Sequence, residues 1–171
     1  DGDDASALLL ACEKECPECV RLLLEANAAV DQADTRGVTP LYITCHRGHL
    51  EIARLLRGAG AAVGQVMDGG FTPLHMACRN GYVEIVRLLL GASAAVNQAG
   101  ASGATPLFIA CKRGHVDIVR LLLEADAAIN QASARGATPL YMACQNGYVE
   151  IVRLLLEAGA AVNQAAEDGA T

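Results

Sequence analysis

The chain has 171 residues, is 53% apolar but only 4% aromatic, lacks Trp, and carries a net charge of −6. It is long enough to bury a sizeable core made of Ala, Leu, Val and Ile. The acidic balance argues against a general nucleic-acid binder, no apolar run approaches the ~18 residues of a membrane span, and the polar start Asp1-Gly2-Asp3-Asp4 is not a signal peptide.

The elements recur with a period of 33 residues and no break in register. Residues 1–33 form a degenerate first copy. Leu8, Ala11, Cys12, Val20 and Leu22-Leu23-Leu24 hold the frame, but Ser6-Ala7 stand where later copies have Thr-Pro, and Glu15 stands where they have Gly. In the second unit, 34–66, Thr39 is an N-cap and Pro40 occupies the first helical position, where its missing N–H costs nothing. A helix is expected from there to about Arg47, ended by Gly48 in the left-handed conformation. A second helix follows, with Glu51 in its first turn, where it favours the helix dipole.

The same pair recurs in units 67–99, 100–132 and 133–165, opened by Thr72-Pro73-Leu74, Thr105-Pro106-Leu107 and Thr138-Pro139-Leu140. The second helices end at Asn27, Gly60, Ser93, Asp126 and Gly159, which keep a turn chemistry while the residue changes. Residues 166–171 restart the motif with Gly169 and Thr171. Helices this short are marginal alone and need stacking on neighbours, the logic of a solenoid. A 66-residue superperiod overlies the pattern: Arg-Gly-His in the second and fourth copies, Asn-Gly-Tyr in the third and fifth.

Gly-x-Thr-Pro-Leu, followed by Gly-His/Tyr-Val-Glu-Ile-Val-Arg-Leu-Leu-Leu-Glu-Ala-Gly-Ala-x-Val-Asn, resembles the ankyrin repeat. The resemblance covers nearly the whole chain. It implies an all-α solenoid of stacked helix-turn-helix units with projecting hairpin-like loops. It also implies a concave face of loops and first helices that binds other macromolecules. There are departures. The Asp that often opens a repeat is present at Asp34 but becomes Met67, Gly100 and Ser133, so loop hydrogen bonds are expected to be lost. Ala53, Arg57 and Gly64 mark the second repeat as a weaker point in the stack.

Cys12, Cys45, Cys78, Cys111 and Cys144 share one place per repeat, too far apart for disulfides, and are expected to form a column of small buried hydrophobes. A reducing, intracellular and cytoplasmic setting follows as an expectation. Cys12, Cys16 and Cys19 have iron–sulfur-like spacing, and Cys16-Pro17-Glu18-Cys19 is formally a redox pair. The register instead puts Cys16 in the place of His49 and Cys19 in that of Ile52, which favours packing. His49, His75 and His115 match structural positions of the family. Glu51 with Arg54, and Glu150 with Arg153, are expected to pair at i, i+3. No catalytic constellation, metal set or cofactor motif emerges.

The family geometry assigns the partner-binding face to Arg36, Val38, His46 and Arg47, then Asp68, Phe71, Arg79 and Asn80, then Ser102, Lys112 and Arg113, then Arg135, Gln145 and Asn146. Six of these are Arg or Lys against one Asp, a mildly basic face on an acidic chain. The functional reading is a non-enzymatic protein-interaction module for an acidic or polar protein segment, with no cofactor, nucleic acid or membrane. It is expected to be monomeric, with self-association through an uncapped C-terminal repeat as the alternative. Two other readings stay open: an engineered or consensus-like scaffold without a native partner, and a metal or redox protein using the N-terminal cysteines.

Overall fold

In the computed structural model, which describes residues 5–164, every Thr-Pro-Leu opens a helix. The Thr hydroxyl of Thr39, Thr105 and Thr138 accepts the N–H of Tyr42, Phe108 and Tyr141, each at 3.1 Å, satisfying a donor the helix cannot. These helices are α3 (Pro40–Arg47), α5 (Pro73–Asn80), α7 (Pro106–Arg113) and α9 (Pro139–Gln145). The first copy manages without proline: Ser6 accepts from the N–H of Leu9 at 3.1 Å and starts α1 (Ala7–Glu13).

Each first helix turns back into a second: α2 (Pro17–Glu25), α4 (Leu50–Gly58), α6 (Val83–Leu90), α8 (Val116–Glu124) and α10 (Val149–Glu157). The turn at Gly48 is left-handed as expected, with φ of 89°. At the far end of the second helices Asn27, Gly60, Ser93, Asp126 and Gly159 all take positive φ, between 59° and 89°. Three of the five are not glycine, and the left-handed conformation is kept at that cost. Residues 166–171 and the acidic start at 1–4 lie outside the described residues.

First helices pack on first helices, α1 through α9, and second helices on second helices, α2 through α10, each contacting mainly its neighbours. One core therefore runs the length of the stack. Leu8, Leu41, Leu74 and Leu107 hold one row, and Ile52, Ile85, Ile118 and Ile151 another, all at 1% exposure or less. Burying each such side chain stabilises by about 1.5–3 kcal/mol.

The cysteine column is buried at Cys12, Cys45, Cys78 and Cys111, but Cys144 is exposed, because the described residues place no further helix pair over it. Cys16 and Cys19 correct the sequence expectation more sharply. They are joined as a disulfide, with Cα atoms 5.3 Å apart across the first turn of α2. Their register counterparts never meet in this way, because only this copy has sulfur at both places.

The expected i, i+3 pairs at Glu51 and Glu150 are also corrected. Glu51 faces Arg21 at 3.8 Å, and Glu150 faces Arg120 at 2.5 Å, both in the preceding repeat. The i, i+3 geometry occurs instead at Glu18–Arg21 and Glu84–Arg87. A carboxylate near a second-helix N-terminus can reach either its own helix or the one stacked before it, and stacking decides.

Candidate interaction face

The loops between repeats are hairpins held by backbone bonds. Asp34 N–H donates to Val38 O, and the same bond recurs from Met67 to Phe71, Gly100 to Ala104 and Ser133 to Ala137, at 2.9–3.1 Å. Each tip is tied to the one before it: Asp68 N–H to Arg36 O, Ala101 N–H to Gly69 O, and Ala134 N–H to Ser102 O, at 2.8–3.0 Å. The tips thus form one continuous ribbon along the edge of the stack.

The lost repeat-opening Asp removes less than the sequence suggests. Asp34 Oδ1 accepts from the N–H groups of Arg36 and Val38, both at 2.9 Å, while Oδ2 takes the Arg36 guanidinium at 2.8 Å. Burial opposes ionisation of this carboxyl, but those donors outweigh it and hold its pKa below the usual value. Met67, Gly100 and Ser133 forgo these side-chain bonds, yet their backbone hairpins are intact.

The third loop is anchored by His75, which is fully buried. Its Nδ1 accepts the N–H of Thr72 at 3.0 Å, so the ring proton lies on Nε2, which donates to Ala104 O in the next repeat at 3.2 Å. Phe71 stands edge-on to this ring, with centroids 5.5 Å apart. Its other side lies against Gly100, where a Cβ would come within 2.8 Å of Cε1. A side chain at 100 would therefore have to displace the Phe71 ring.

Beside this anchor lies an open hollow of about 260 Å³, lined by Phe71, Met76, Arg79, Ser102, Ala104, Phe108, Ile109, Lys112 and Arg113. Five of these were expected on the binding face: Phe71, Arg79, Ser102, Lys112 and Arg113. Met76, Ala104, Phe108 and Ile109 were missed, because periodicity marks them as core. They are indeed nearly buried, at 3–9% exposure, and form the floor. One signal was available: the place of Tyr42, His75, Phe108 and Tyr141 changes chemistry, whereas the preceding Leu never does.

The remaining expected residues divide. Arg36, Arg47, Asp68, Arg135, Gln145 and Asn146 are exposed. Val38 is not available to a partner: at 7% exposure it packs with Leu9, Tyr42 and Met76 beneath the loops. Asn80 donates its side-chain N–H to His46 O at 2.8 Å and so ties α5 to α3. Asn146 donates likewise to Met142 O of its own helix at 2.8 Å.

Charge is distributed unevenly along this face. Arg36 is held by Asp34, and Arg47 by Glu13 at 3.0 Å. Arg79, Lys112 and Arg113 face no carboxylate within salt-bridge distance among the described residues. Partial burial, then the charges of Arg47 and Arg79, hold the His46 pKa below its ordinary value.

A larger hollow, about 440 Å³, lies on the last helix pair and includes Leu140, Cys144, Leu156 and Val162. Its lining is that of an inter-repeat contact, since the counterparts of Cys144 are fully buried. Among the described residues no cluster of His, Cys, Asp and Glu could hold a metal ion, and no helix is long and apolar enough to cross a membrane.

The helix pairs, tied loops and unbroken register are those of one repeat family, and the family model for ankyrin repeats matches residues 8–100 and 93–166. The chain belongs to the ankyrin repeat family. Ankyrin repeats are in general protein–protein interaction modules and are typically not enzymes. No curated protein sequence matches this ankyrin chain.

Proposed function

We propose that this ankyrin array is a non-enzymatic module that binds an acidic or polar protein segment on its concave face of loop tips and first helices. We take it as one array over residues 1–171, acting as a monomer in the cytoplasm. The observation that carries the reading is the hollow between α5 and α7, where three cations without carboxylate partners surround an apolar floor. Arg is well suited to interfaces, and an apolar centre with a polar rim is how protein interfaces are built. In the cytoplasm Cys16 and Cys19, joined in this structure, would stand as thiols.

The test is capture of partners from native lysate by the full chain and by two triple variants. Reversal of Arg47, Arg79 and Arg113 to Glu is expected to abolish capture. Reversal of Arg54, Arg120 and Arg153, on the second helices, is expected to leave it intact. Equal capture by both variants would remove the concave face from the function.

A further inference from the structure

The unpaired cations define the shape of the ligand as well as its sign. Arg79 and Lys112 occupy the same register place on adjacent first helices, α5 and α7, and Arg113 follows directly. Packed helices lie about 8–10 Å apart. A polyproline II segment returns to the same face every third residue, about 9 Å further on. On an α-helix the Cβ atoms of i, i+4 side chains lie only about 5–6 Å apart. Between the cations lies the floor of Met76, Phe108 and Ile109, walled by Phe71. It offers apolar contact and no carboxylate.

We propose that the hollow between α5 and α7 takes an extended peptide with Asp or Glu at i and i+3 and a bulky apolar side chain between them. One carboxylate meets Arg79, the other meets Lys112 and Arg113, and the apolar side chain rests on the Met76–Phe108–Ile109 floor. The inference rests on the concave-face reading and adds its register and recognition chemistry. A nucleic acid fits less well. The chain's net charge of −6 repels a polyphosphate. The N-terminal half of the face is a poorer site, because Asp34 and Glu13 already occupy Arg36 and Arg47.

The test is peptide display against the full chain, followed by anisotropy titration of the enriched peptides. Acidic residues three apart around an apolar residue are expected. Affinity should fall about tenfold or more in the Arg79→Glu/Lys112→Glu double variant, and also when both acids become amides. Arg54→Glu, on second helix α4 away from this face, should leave it unchanged. Circular dichroism checks that the variants, altered only at exposed side chains, stay folded. Peptides that lack acids, that ignore the double reversal, or that fail to enrich at all overturn the inference. If such peptides still respond to Arg135→Glu or Arg47→Glu, the concave-face reading survives without it. Competition at equal strength by a single-stranded oligonucleotide overturns it in favour of phosphate.

Discussion

Asn97 in the third repeat accepts the backbone N–H of Ala128 in the fourth, through Oδ1, at 2.7 Å. The same rung joins Asp31 to Ala62 at 3.0 Å and Asn130 to Ala161 at 2.8 Å. The rung from the second repeat is missing, because Gly64 stands where the acceptor should be. A Cβ at Gly64 would meet nothing within 4 Å. Gly64→Asn is therefore expected to add the missing rung to Ala95 and to restrict the unfolded chain. The gain should be about 0.5–1.5 kcal/mol, seen as a higher urea midpoint at unchanged slope. Asn97→Ala should cost a similar amount, and an unchanged midpoint in both would show the rungs to be energetically idle.

Two glycines separate backbone strain from steric contact. Gly81 has φ of 83°, and a Cβ there would come within 2.8 Å of the His115 ring; Gly147 has φ of 71° and open space. Gly147→Ala should cost only the left-handed conformation, about 1–2 kcal/mol. Gly81→Ala should cost about 1–3 kcal/mol more, because the ring must move off the stack. Paired denaturation curves measure the difference.

Loop substitutions at homologous places should have opposite signs. Ser133→Asp is expected to stabilise by about 1 kcal/mol, because Arg135 and Ala137 offer the N–H groups that their counterparts offer Asp34. Gly100→Asp should destabilise, because Phe71 occupies the space its Cβ would need. Thermal midpoints of the two variants against the parent decide this.

Burial lowers the pKa of His75 below 6.5, outweighing the hydrogen bond to Ala104 that favours the charged ring. The unfolded chain thus binds the proton more readily. Stability contributed by His75 is complete above pH 6.5 and is lost as the pH falls from there toward the folded value. Urea midpoints should drop between pH 7.5 and 5.5. His75→Gln and His46→Gln, altering the two histidines with lowered pKa values, should each remove part of that drop.

Thiol labelling should distinguish the cysteines. Burial pushes the Cys12 thiol up to about 11 and that of Cys111 up to about 12, and raises Cys45 and Cys78 too. Without reductant, iodoacetamide should label Cys144 alone in the folded chain, and reductant should add Cys16 and Cys19. Peptide mass mapping reads the sites, and rapid labelling of Cys45 in native protein would contradict the packed column.

The sequence by itself determined the repeat, its period and each helix pair. Those features rest on local chemistry: a Thr cap, a Pro at the first position, a left-handed turn after a short apolar helix. The same locality made the line of loop tips and first helices legible. Tertiary structure decided everything that depends on contacts between repeats. It sank Val38 beneath the loops and moved Glu51 and Glu150 onto the preceding repeat. It also matched Glu13 with Arg47 across two repeats and left Arg79, Lys112 and Arg113 without carboxylates. Register gives the place of a side chain in its own unit, whereas the neighbour that neutralises or covers it comes from a stack about one helix diameter away.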